Sequence, residues 1–335
     1  MKYTRLKLLG DRFTAVCPCT KNGENSRTKH QILWFTAPLV LTGGDPLKRT
    51  DIYSLIEYAV QKRIEVAITP FATPLVTNEA IRRLQDAGIS RIAISLDGAD
   101  AATHDSFRGM GGSYARTWQI LDMVQDLGVP AQVNTTLTPR NFDQLDIMAE
   151  QLEKTRIVLW SAFFLVPVGR ATDQRRLTDE QYEEAFAQLW RHSLDKPYRI
   201  KTTEAPHYRR FVLQQLRNRG WKGTAPQGMH RPINRWSSLG INDGKGIIFI
   251  SHTGLIYPSG FLPVVCGRFP ADDVVRVYQH APVFRLLCDA HQLKGKCGIC
   301  EYRHICGGSR ARAYAVSGQL MAEEPDCIYQ PAQLV

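Results

Sequence analysis

No apolar run in these 335 residues approaches the roughly 18 needed to cross a bilayer, so the sequence offers no membrane-spanning helix. The first residues, MKYTRLKLLGDRFTAV, are basic but lack a long apolar centre and make a poor signal peptide. We therefore expect a cytoplasmic protein in reducing surroundings. P-loop, G-x-G-x-x-G and H-E-x-x-H motifs are all missing, as is a Ser-His-Asp order. Paired carboxylates for acid–base work are not visible, and no catalytic residue can be named. The net charge is +10, but no Lys/Arg-rich run carries interleaved aromatics. Residues 1–37 hold seven Lys/Arg against Asp11 and Glu24, half the excess in about a ninth of the chain. Charge placed this way does not argue for nucleic-acid binding.

Cysteine is not scarce. Four of the eight fall in one stretch, Lys296–Cys327: Cys297, Cys300, Cys306 and Cys327. Thiols this crowded, without a secretory signal, point to a metal site rather than disulfides. Zinc and an iron–sulfur cluster both accept four thiolates.

Between residues 38 and 217 the chain alternates. Short apolar runs at 38–42, 64–69, 91–96, 131–137, 157–166 and 198–203 read as strands. Helical spacing fills 51–61, 77–87, 114–127, 142–152, 178–192 and 205–217. Six such units predict a parallel sheet, curled as a partial (β/α)6 TIM-like barrel; a doubly wound sheet is the competing architecture. Residues 220–246 are rich in Gly, Pro, Arg and Asn and read as a linker. Residues 247–335 form a small, loop-rich domain. It should open on a hairpin turning at Thr253-Gly254, carry one or two short helices over 270–288, and need a metal staple.

Candidate ligand contacts lie at strand ends, where α/β folds place their sites. Gly43, Gly44, Asp45 and Pro46 close the first strand, either as a tight turn or as backbone open to a ligand. Ser95 and Asp97 end the third. Asn134, with Thr135 and Thr136, interrupts a strand otherwise apolar, and buried amides need partners. Gly169 and Arg170 follow the fifth; such an arginine either holds a carboxylate or stands at the surface. Glu204, His207, Tyr208 and Arg209 cluster after the sixth and could face a substrate.

Several segments sit in register: TGGDPLKR (42–49), AITPFATPL (67–75), ISLDGADAATHDSFRG (94–109), NTTLT (134–138), VPVGRA (166–171) and CGICEYRHICGG (297–308). Together they resemble a radical S-adenosylmethionine (SAM) enzyme with a C-terminal SPASM domain, near the branch of alternative-haem and peptide-maturation enzymes. The resemblance covers residues 38–330. It implies an oxidoreductase or maturase in which a reduced [4Fe–4S] cluster cleaves SAM to a 5′-deoxyadenosyl radical that takes hydrogen from a peptide or a tetrapyrrole. A ferredoxin or flavodoxin would supply the electron. Gly43, Gly44, Asp45, Pro46, Ser95, Asp97, Asn134, Gly169 and Arg170 would contact SAM. Cys297, Cys300, Cys306 and Cys327 would hold an auxiliary [4Fe–4S] cluster.

One departure stands out. The family's C-x3-C-x2-C, which holds the radical cluster upstream of TGGDP, is missing; Cys17-Pro18-Cys19 gives two thiols. We read residues 1–37 as an atypical first unit that leaves an edge of the barrel exposed and lacks a radical-cluster loop. The alternatives are a truncated, non-catalytic iron–sulfur scaffold and a zinc-stapled nucleic-acid binder. Cys288 should be a small buried hydrophobe and Cys266 an extra thiol.

Overall fold

The computed structural model of this chain describes residues 37–220 and 241–332. Cys17, Cys19 and the expected atypical first unit lie outside the described residues, as does most of the expected linker.

The described chain divides into two compact units. The first takes residues 37–165 and Glu184–Thr203. Its six strands are β1 (Leu39–Leu41), β2 (Val66–Ile68), β3 (Arg91–Ser95), β4 (Ala131–Leu137), β5 (Leu159–Phe164) and β6 (Arg199–Thr203). They form one sheet in the order β1-β2-β3-β4-β5-β6, with every neighbouring pair parallel. The order never reverses. A doubly wound sheet must reverse at its switch point, so that architecture is excluded. Right-handed crossovers in one direction instead curl the sheet into a half-barrel.

The crossovers carry α1 (Ile52–Gln61), α2 (Asn78–Asp86), α3 (Ala101–Arg108), α4 (Ser113–Asp126), α5 (Leu145–Glu153) and α6 (Asp179–Asp195). α1 turns Ile52, Ile56 and Ala59 inward, the face its spacing predicted. α2 starts where Thr77 Oγ1 accepts from the Ala80 N–H at 3.1 Å. α3 was not anticipated. It is capped by Asp100, whose carboxylate accepts from the Thr103 N–H at 2.8 Å, and it ends on Gly109.

β2 is buried on both faces, as parallel strands under helices usually are. β4 alternates instead: Ala131, Val133, Thr135 and Leu137 are buried, while Gln132, Asn134 and Thr136 are half-buried. Thr135 is tolerated inside because its hydroxyl donates to the Leu96 carbonyl at 2.7 Å and accepts from Trp160 Nε1 at 2.9 Å.

The second unit takes Val166–Glu183 and the described residues from Glu204 on. It contains the first residues of α6, then α7 (Tyr208–Asn218), β7 (Phe249–Ile250), β8 (Leu255–Tyr257), β9 (Gly267–Arg268), α8 (Val274–His280), α9 (Pro282–Cys288), α10 (Gly295–Ile299) and α11 (Arg310–Ser317). β7 and β8 form the expected hairpin, turning at Gly254, and β9 adds a third antiparallel strand. The unit's apolar core is modest: Val166, Leu262, Leu287, Leu293, Ala311 and Met321.

Candidate functional site

Two constellations stand out, one in each unit. In the first unit β1 runs into Gly43 and Gly44, at φ of 83° and 55°. A side chain at either would meet no neighbour within 4 Å, so backbone conformation, not space, calls for glycine there. Asp45 is buried and anchors the turn: its carboxylate accepts from the Leu47 N–H at 3.2 Å and from Thr73 Oγ1 at 2.7 Å. Pro46 is buried with it. Gly43 and Gly44 are exposed.

Strand register places Ser95 beside Asn134, and Asn134 beside Ser161. Residues paired across parallel strands share a face, so the three form a polar row over β3, β4 and β5. Asn134 Oδ1 accepts from Gln132 Nε2 at 2.6 Å, and Ser161 Oγ lies 3.2 Å from Thr203 Oγ1. Asp97 is buried. Its carboxylate accepts from the Thr136 N–H at 2.7 Å and pairs with Arg108 at 2.5 Å. Burial raises this carboxyl above the usual range, more than Arg108 lowers it. Asp97 thus latches the ends of β3 and β4 together.

The second constellation is a partly open cavity walled by Cys297, Cys300, Cys306 and Cys327, with His207, Arg210 and Glu324 among its other residues. α10 carries Cys297 and ends at Cys300. Gly307 and Gly308, at φ of 71° and 64°, turn the chain after Cys306 so that the Gly308 N–H reaches Cys306 Sγ at 3.4 Å. The Glu324 N–H reaches Cys297 Sγ at 3.3 Å. Burial pushes all four thiols above their ordinary range. A bound cation reverses that balance and holds thiolates. Among the described residues no group of three or more His, Cys, Asp or Glu closes on a single ion; the four thiols surround a space. Four sulfur donors, each with a backbone N–H aimed at it, from Glu324, Tyr302, Gly308 and Tyr329, suit an iron–sulfur cluster.

Residues 30–152 match the Radical SAM superfamily. The AdoMet-dependent heme synthase of Methanosarcina barkeri is 36% identical over 295 residues, covering 88% of this chain and 83% of its own. The chain belongs to the radical SAM superfamily. An AdoMet-dependent heme synthase from Nitratidesulfovibrio vulgaris is likewise 36% identical, over 88% of this chain and 80% of its own. In fold, the crystal structure of Streptococcus suis SuiB aligns with a TM-score of 0.64 at 13% identity; the match takes 87% of this chain but 66% of that longer one.

For a radical SAM chain the family implies SAM and an iron–sulfur cluster. The exposed Gly43–Gly44 turn and the polar row, with Ser95 ending β3 and Asn134 and Ser161 inside β4 and β5, offer both donors and acceptors for a polar ligand. Gly169 and Arg170 belong to the second unit, in a 3-10 turn with Arg170 exposed. The four residues expected near substrate have partners inside the second unit. Glu204, in the left-handed region at φ 58°, accepts from Ser309 Oγ at 2.5 Å. Burial and the neighbouring Asp243 carboxylate push it up to about 8. His207 is buried on the wall of the cysteine cavity, with its ring against Tyr182. Tyr208 stacks on Phe211. Arg209 donates to the Ile305 and Ile241 carbonyls.

Four important residues were not singled out from the sequence. His104 is fully buried; its Nδ1 accepts from the Asp97 N–H at 2.9 Å, so Nε2 carries the proton toward Ser113 Oγ at 3.1 Å. Arg312, Glu324 and Asp326 form a buried ionic group beside the cysteines. For His104, the partial cue was its place in the THDSFRG segment.

Proposed function

We propose that this chain is a radical SAM oxidoreductase that acts on a tetrapyrrole, in the manner its heme-synthase relatives' names describe. The observation that carries this is 36% identity over 88% of the chain. Gly43, Gly44, Asp45 and Pro46 form the turn toward SAM. Ser95 and Asn134 offer polar side chains, and Asp97 latches together β3 and β4, which carry them. Cys297, Cys300, Cys306 and Cys327 hold an auxiliary [4Fe–4S] cluster. When bound, SAM and a reduced cluster supply the 5′-deoxyadenosyl radical that takes hydrogen from the substrate. The chain's own part is to orient SAM, exclude water and hold the thiolates in place. A small reductant such as a ferredoxin or flavodoxin delivers the electron.

The test is anaerobic reconstitution followed by incubation with SAM, dithionite and a haem precursor. Two [4Fe–4S] clusters give about eight irons per chain, and the enzyme releases 5′-deoxyadenosine. About four irons without SAM cleavage would replace this reading with a non-catalytic iron–sulfur relative, a reading to which the missing C-x3-C-x2-C gives weight. Turnover of a precursor peptide in place of the haem precursor would move the substrate to the peptide class. His207→Ala separates two roles: lost product at full iron content marks a substrate contact, and lost iron marks a part of the cysteine site.

A further inference from the structure

The cysteine cavity is backed by a group of charges that the chemistry above does not use. Arg312 on α11 is 0% exposed and Glu324 1%. Arg312 Nε and Nη2 donate to the two Glu324 oxygens at 2.7 and 3.2 Å. The same carboxylate accepts from the Ser309 N–H at 2.6 Å and the Asp326 N–H at 3.2 Å. Asp326 is tied in turn to Arg176, Nε to Oδ2 at 2.9 Å, and to Arg312 at 3.2 Å. The segment from Glu324 to Asp326 is therefore clamped at both ends, and Cys327 is the next residue.

A buried ion pair of this kind does little for net stability. Well-packed apolar residues of the same volume do as well, because desolvation offsets the attraction. What it supplies is position. Glu324's own backbone N–H points at Cys297 Sγ at 3.3 Å. Gly308, donor to Cys306 Sγ, packs so closely on Glu324 that a Cβ would stand 2.8 Å from the Glu324 Cβ. Two of the four backbone N–H···S contacts at the site thus meet at one residue, which is fixed by Arg312; the other two, from Tyr302 to Cys300 and from Tyr329 to Cys327, lie outside the clamp.

We infer that the Arg312–Glu324 pair is a positioning device for the cysteine site, which pins the Glu324 N–H on Cys297 and so sets the reduction potential of the cluster held there. Hydrogen bonds to cluster sulfurs stabilise the reduced, more negative form. Loosening the clamp lowers the potential. The inference rests on the proposed auxiliary cluster.

Two variants keep the net charge while releasing the clamp. Arg312→Lys retains the cation but loses the planar fork. Arg312→Met combined with Glu324→Met removes one charge of each sign. Each reconstituted protein is titrated with reductant while the C-terminal site is followed by electron paramagnetic resonance; Cys300→Ala identifies which signal belongs to that site. The expected result is full iron content with the reduced form disfavoured about tenfold, equivalent to a midpoint about 59 mV more negative for one electron. An unchanged midpoint and unchanged signal in both variants, with only a lower melting temperature, overturns the inference and leaves the cluster in place. A Cys300→Ala protein with the same iron content as wild type sinks the cluster reading itself. Should a variant hold no iron at that site, the metal-free proteins decide. A fold as stable as the metal-free wild type supports positioning, and a lost fold overturns it.

Discussion

Replacing His104 by asparagine probes how the third strand is terminated. In the wild type the Asp97 N–H donates to Nδ1, and a proton on Nδ1 would set donor against donor. Burial, with Arg108 nearby, therefore lowers the imidazole from 6.5 to about 4. A base whose folded pKa is depressed binds its proton more readily in the unfolded chain. Stability is then complete above pH 6.5, falls as the pH drops through the interval between 6.5 and about 4, and levels off below it. At about 1.4 kcal/mol per unit the full loss is about 3 kcal/mol, and about 2 kcal/mol of it falls between pH 7 and pH 5. Asp97 works in the opposite sense, since burial raises its carboxyl, so the wild-type curve alone is ambiguous. In His104→Asn the amide oxygen takes the place of Nδ1 and does not titrate. Urea unfolding of both proteins at pH 7 and pH 5 isolates the imidazole. The wild type should lose about 2 kcal/mol more than the variant over that interval. Equal losses would refute the buried neutral imidazole.

Arg312→Met alone leaves the Glu324 carboxylate buried without its cation. It should cost about 3–5 kcal/mol, well above the cost of the Arg312→Met/Glu324→Met pair; denaturant midpoints of the two compare them directly, and equal costs would contradict a buried ion pair. Gly98→Ala would place its Cβ 2.7 Å from Thr103 Cβ and 2.8 Å from the His104 nitrogen. A loss of about 1–3 kcal/mol is expected by thermal melting, and an unchanged melt would mean that α3 shifts freely. Cys300→Ala should lower reconstituted iron by about four per chain, whereas Cys266→Ala should leave it intact, because Cys266 Sγ donates to the Val264 carbonyl and does not line the cysteine cavity.

Much of the fold was legible because burial writes itself as a period. The β4 span, Ala131–Leu137, is the stretch its composition predicted, and Thr77 announces α2. α3 escaped because its one buried residue is His104, which leaves no apolar stripe to detect. The spacing of the four cysteines placed them together, and they line one cavity. Its ionic backing did not show, because Arg312 and Glu324 read individually as surface residues and meet only through the fold. Asp97 read as a ligand contact at a strand end, and the Arg108 that fixes its carboxylate lies on the unforeseen α3.

The alternation along β4 has a consequence for how this sheet can change. Which side Gln132, Asn134 and Thr136 face depends only on whether their positions are odd or even from the strand's start. Deleting Gln132 would reverse the parity of every later position relative to Ala131 and carry Val133 and Thr135 to the polar side together. It would also turn Asn134 away from its row with Ser95 and Ser161. Length variation among relatives of this chain should therefore gather in the loops on either side of β4, with the seven-residue span itself kept constant.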